Sequence, residues 1–287
     1  MTPALRGVLW MSGAVLSFSA MAIAARELLR HMGVFEILAF RTGIALLIVL
    51  AVALPAGPQV LRTQRFPLHA WRNLVHLAGQ ACWVYAIGLL PLATVFAIEF
   101  TMPIWVAILA ALFLGERLTG SRVAMLALGF AGVLVILRPG IEAVQLGALV
   151  ALGASLFYAI QMIATKQLAP TDAPLTVLFW MSVIQTPVAV ALAIPGWVAP
   201  SLADVPWLLL IGVGSYTAHY CLTRALRVAD ATLVVPVDFM RLPLIAVVGA
   251  VLYAEAFDPA VILGAAMIFA GTWFSLARER GGARRTS

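Results

Sequence analysis

Residues 100–116 read FTMPIWVAILAALFLGE and residues 239–255 read FMRLPLIAVVGAVLYAE. Each is an apolar run with a proline early and a glutamate at its end, and the two stand 139 positions apart, Phe100 on Phe239 and Glu116 on Glu255. Neither alternates apolar with polar residues, so a membrane barrel strand is excluded and a membrane helix remains. The same register extends outward. Cys82 pairs with Cys221 and Phe130-Ala131-Gly132 with Phe269-Ala270-Gly271 at that offset, while Gly7 pairs with Gly147, Arg26 with Lys166 and Pro55 with Pro195 at 140. One offset shared by so many pairs describes a duplicated chain.

Composition agrees with this reading. The chain has 287 residues, 63% hydrophobic and 10% charged, whereas a soluble domain is about one quarter charged. Apolar stretches bounded by charged, Pro or Gly breaks fall at 7–25, 35–54, 73–90, 95–114, 121–137, 146–165, 175–194, 206–223, 232–253 and 259–277. Each is near the roughly 20 residues that cross a bilayer. Five spans per half is an odd number, so the second half enters the membrane upside down relative to the first. The expected fold is an all-α integral membrane protein of ten transmembrane helices, built as two inverted five-helix repeats, residues 1–140 and 141–287, the latter ending in a short basic tail. The first run is read as a retained helix and not a cleaved signal, because it has a counterpart later in the chain.

The formal charge of +6 is explained by orientation better than by a nucleic-acid partner. Placing the N-terminus in the cytoplasm puts Arg6, Arg62, Arg65, Arg72, Arg117, Arg122, Lys166, Arg224, Arg227, Arg278, Arg280, Arg284 and Arg285 inside. Only Arg26, Arg30 and Arg138 fall outside. The asymmetry predicts two cytoplasmic termini. Cys82 and Cys221 sit in apolar runs and imply no disulfide framework.

The repeated motif, Pro103 to Glu116 in Leu114-Gly115-Glu116 and Pro243 to Glu255 in Tyr253-Ala254-Glu255, together with Arg41 in the second span, resembles the ten-helix EamA-type exporters of the drug/metabolite transporter superfamily. The likeness covers residues 5 to 277, with Ala254 departing from the usual Gly-Glu ending. It implies a secondary transporter of the bacterial inner membrane that exports small metabolites by alternating access, amino acids including aromatic ones among them. A membrane-embedded enzyme acting on lipid or isoprenoid and a passive channel are the alternatives.

Soluble-enzyme signatures are missing: there is no phosphate loop, no His-Glu-x-x-His and no Cys-x-x-Cys. The expectation is therefore a non-enzyme with no cofactor, metal, nucleic acid or obligate protein partner, working on a small-molecule substrate within the lipid bilayer. Candidate substrate contacts are polar and aromatic side chains inside spans. His76, Gln80 and Trp83 share one face of the third span, and His219 stands on the eighth at a repeat-related place. Tyr158 and Gln161 stand on the sixth span, Trp105 and Glu99 on the fourth. Such groups serve either as hydrogen-bonding glue between helices or as a cavity lining; as a set they favour a cavity. Four charges within spans, Arg41, Glu99, Asp238 and Arg241, are expected as two pairs, Arg41 with Glu99 and Asp238 with Arg241, either structural or gating. Glu116 and Glu255 are read as loop anchors.

Overall fold

The computed structural model describes residues 2–55, 57–115, 119–138, 145–229 and 231–283. The described residues form helices and no strand. In order they are α1 (Pro3–Leu28), α2 (Val34–Ala53), α3 (Phe66–Leu89), α4 (Leu92–Glu99), α5 (Met102–Leu114), α6 (Gly120–Leu137), α7 (Leu146–Leu168), α8 (Pro174–Ala193), α9 (Val205–Val228), α10 (Ala231–Phe239), α11 (Arg241–Tyr253) and α12 (Pro259–Ala283). Short 3-10 turns at Pro58–Leu61 and Ile194–Gly196 follow α2 and α8, repeat-related places in the two halves.

Two expected spans are each split in two. Where single helices were expected at 95–114 and 232–253, α4 breaks from α5 at Phe100 and Thr101, and α10 breaks from α11 at Met240. Proline is the cause. Pro103 has no N–H to give to the carbonyl of Glu99, nor Pro243 to that of Phe239, and each ring crowds the carbonyl one turn back. The gap after Glu99 is bridged by a tighter turn, with Ile104 N donating to Thr101 O at 2.9 Å. With the two halves of each counted together, ten spans result. Among the described residues nine are long and apolar enough to cross a membrane. The other, α3, is as long but carries His69, Arg72, Asn73, His76 and Gln80, all buried.

Packing follows the duplication. The closest helix pairs are α1 with α9 and α3 with α7, which exchange under the repeat, and α2 with α8 and α6 with α12, which lie across its axis. On the axis itself Phe100 stacks on Phe239, ring centroids 4.2 Å apart and planes 13° from parallel. The α6 and α12 backbones approach closely through Gly132 and Gly264: a Cβ on Gly132 would lie 2.6 Å from the Gly264 carbonyl oxygen, and one on Gly264 would lie 2.5 Å from that of Gly132. Glycine on both helices is what lets the two backbones come this close.

At the end of the bundle where α1 finishes, Glu255 works as the anchor expected. Its carboxylate accepts from Leu92 N at 2.8 Å, capping α4, and pairs with Arg26 at 3.1 Å, while Arg26 also donates to Leu90 O at 2.6 Å. Glu116, its repeat counterpart, lies outside the described residues. The carboxylate folds back over Gly249, where a Cβ would lie only 2.3 Å from its oxygen. The same end is tied further by His31, bonded to Asp204 at 2.6 Å. The Ser201 hydroxyl, the Ser201 N–H and His31 together hold the Asp204 carboxyl below the ordinary aspartate range.

The turn that delivers Glu255 is left-handed at Ala254, φ +52°, as it is at the repeat-related Gly115, φ +67°. A left-handed residue with a Cβ costs about 1 kcal/mol that glycine avoids. Ala254→Gly should therefore stabilise the protein by about 1 kcal/mol, read as a higher melting temperature in detergent. A melting temperature unchanged or lowered would contradict the strain.

Candidate functional site

The split in α4 and α10 places Glu99 and Asp238 at the ends of two half-helices in mid-membrane, and Arg241 at the start of α11 reaches both. Arg241 donates to Glu99 at 3.2 Å and to Asp238 at 3.0 Å. Its guanidinium also lies over the rings of Phe18 at 4.7 Å, Phe100 at 5.0 Å and Phe96 at 5.4 Å. One cation thus pairs with two acids, one from each half, inside an aromatic cage, an arrangement that lowers the cost of carrying charge in a low dielectric. Glu99 is held from its other side by Trp83, whose indole N–H donates to it at 2.7 Å.

The expected pair of Arg41 with Glu99 is not formed, which corrects the sequence reading. Glu99 is taken by Arg241 because α11 begins at the break, facing α4, whereas α2 packs chiefly on α8 and α9. Asp238 with Arg241 is found as expected. Arg41 is left 5% exposed with no hydrogen-bond partner, its Nε fully buried. Its helix packs on α9 and α3, which carry His219 and His76, and α3 packs on α7, which carries Tyr158.

Those three residues, with Phe18, form a row of rings across the two halves. Tyr158 on α7 meets His76 on α3 edge-to-face at 5.8 Å, His76 meets His219 on α9 at 5.9 Å, and His219 meets Phe18 on α1 at 5.7 Å. Phe18 precedes Tyr158 by 140 positions, so the outer two rings are repeat partners. Gln80 fixes His76, its amide nitrogen lying 3.2 and 3.1 Å from the two ring nitrogens. α3 and α9 are not among the closely packed helix pairs; the two imidazoles cross the space between them.

The remaining candidates sit around this row. Trp105 donates its indole N–H to Ser155 at 3.1 Å, and Thr101 donates to the same oxygen at 2.9 Å, fastening the α4–α5 break to α7. Gln161 donates to Thr165 at 2.9 Å, and Arg72 donates to Thr165 at 2.7 Å and to Asn73 at 2.6 Å. Trp105 thus acts in helix-to-helix bonding, whereas Gln161 bonds along α7 to the threonine that Arg72 reaches from α3. Phe18, Arg72 and Asn73 were not singled out from sequence; the repeat offset from Tyr158 was the signal that could have found Phe18.

An apolar cavity of about 280 Å³ opens away from the row, between α4, α11 and α12, lined by Thr94, Leu242, Val247, Phe257, Glu255 and Asp258 among others. None of His76, Gln80, Trp83, Trp105, Tyr158, Gln161 or His219 reaches it. At mid-depth the rings lie against one another. Among the described residues no three of His, Cys, Asp and Glu come together as a metal set.

The chain is similar over nearly its whole length to proteins named as transporters. It is 31% identical to the riboflavin transporter of Vibrio cholerae serotype O1, over 98% of this chain and 96% of that one. It is 25% identical to the S-adenosylmethionine uptake transporter of Rickettsia bellii, over 96% and 94%. A solved crystal structure shares the fold with a TM-score of 0.65 at 20% identity, over 99% of this chain and 97% of its own. The aromatic amino-acid branch suggested by resemblance is not the one these relatives name. The EamA-like transporter family matches twice, over residues 5–138 and 145–277, and the chain is a multi-pass membrane protein belonging to that family.

Proposed function

We propose that this protein carries a flat heteroaromatic metabolite of the riboflavin kind across the bacterial inner membrane by alternating access. The halves 1–140 and 141–287 move against each other, with both termini cytoplasmic. One observation carries the reading: the row Tyr158, His76, His219 and Phe18 runs between the halves at mid-depth. Side chains alone bridge α3 and α9 there, so turning the two imidazoles apart opens a slot faced by π surfaces, into which a planar ring system stacks. Inverted-repeat transporters place substrate at such a point, and two relatives are named for molecules that contain fused heteroaromatic rings.

Counter-flow in proteoliposomes tests it. Vesicles loaded with unlabelled riboflavin should accumulate labelled riboflavin saturably, with S-adenosylmethionine and tryptophan as competitors. Accumulation of labelled tryptophan with none of riboflavin would return the amino-acid expectation and overturn this one.

A further inference from the structure

Arg41, Gln80 and His219 each present a buried polar atom that no described residue satisfies: His219 belongs to the row of rings, Gln80 holds its neighbour His76, and Arg41 stands on α2, which packs on α9, the helix of His219. Arg41 Nε, Gln80 Oε1 and His219 Nε2 have no hydrogen-bond partner. Arg41 and Gln80 are 5% and 1% exposed. Polar atoms left unsatisfied in a membrane interior cost free energy, so these three describe what a molecule entering between their helices has to supply. The three are chemically distinct. Arg41 can only donate; Gln80 Oε1 can only accept, its amide nitrogen being engaged by His76; His219 Nε2 can take either role.

Charge sharpens the description. Arg241 accounts for both nearby acids, and Arg72 is engaged by Asn73 and Thr165. Arg41 is therefore an unpaired cation, and its complement is an electron-rich acceptor. We propose, on the reading of the site given above, that Arg41, Gln80 and His219 recognise an imide edge on the planar cargo, a ring N–H flanked by two carbonyls. One carbonyl accepts from Arg41, the ring N–H donates to Gln80 Oε1, and His219 Nε2 in its protonated tautomer donates to the second carbonyl. The flavin ring system carries such an edge. Indole, with a lone N–H and no ring carbonyl, offers no such edge.

The test compares riboflavin with N3-methylriboflavin, which keeps the ring and both carbonyls but lacks the donor. Binding to the purified full-length protein is followed by quenching of flavin fluorescence. The native protein should bind riboflavin at least about tenfold more tightly than the methyl analogue. In Gln80→Leu that preference should collapse to near unity, while Arg41→Gln should weaken both ligands alike. Melting temperature in detergent confirms that each variant is folded, and Gln80→Met replaces Gln80→Leu should the latter fail. Equal binding of the two flavins by the native protein, or a preference that survives the change at Gln80, overturns the imide edge alone. Absence of riboflavin binding to the native protein overturns the cargo and the edge together.

Discussion

Arg241→Ala should cost the fold about 3 to 5 kcal/mol, the range for removing one partner from a buried ion pair. The cost comes from what is left behind. Glu99 and Asp238 would face each other across the break with no cation between them, and the rings of Phe18, Phe96 and Phe100 would border an emptied cage. Neutralising the acids at the same time removes that penalty, so Arg241→Met with Glu99→Gln and Asp238→Asn should recover most of the lost stability. Methionine is the apt replacement because Met102 holds the repeat-related place in the first half. Chemical unfolding in detergent measures both proteins. A triple variant as unstable as Arg241→Ala would show that packing of the guanidinium, and not its charge, holds the centre.

Gly132→Val should be at least as damaging, at about 3 kcal/mol or more. Its new Cβ would lie 2.6 Å from a backbone oxygen of α12, and Ile268 is at 2.9 Å. A flexible side chain can swing aside; a helix backbone cannot without parting α6 from α12. Gly264→Val should behave the same way, because its Cβ would meet Gly132 O at 2.5 Å. Gly153→Ala supplies the contrast. Nothing lies within 4 Å of the added carbon, so this helical substitution should be neutral or raise stability slightly. Yield of monodisperse protein and melting temperature report all three. Normal folding of Gly132→Val would mean that the helix pair separates at little cost.

The contrast between what the sequence disclosed and what it concealed has a physical basis. Span positions were legible because transfer of some 20 residues into hydrocarbon is set by composition alone. The duplication was legible because whole segments kept their register. Breaks within spans were half legible: Pro103 and Pro243 marked where hydrogen bonds are lost, but whether a helix bends or parts depends on what receives the freed carbonyls. Pro187 lies inside α8, which continues through it. Pairing of charges was least legible. Arg41 and Glu99 are opposite charges within spans of the first half, and that was all a linear reading could compare; which helix faces which is decided by packing across the two halves. Membership of His76, His219 and Tyr158 in one cluster was anticipated from their span positions, but the contact between the two imidazoles depends on how their side chains cross the space between α3 and α9.

Inverted duplication also has a thermodynamic corollary. Were the halves identical, a carrier of the kind proposed would have equal energy facing either side of the membrane, and the empty protein would divide its time evenly. Any resting preference must then arise where the halves differ: Arg241 opposite Met102, Arg41 opposite Met181, Ala254 opposite Gly115. About 1.4 kcal/mol from any one of them tilts the balance tenfold. The side on which the vacant protein waits is thus set by mismatches between the halves, these three among them, and is open to change by substitution.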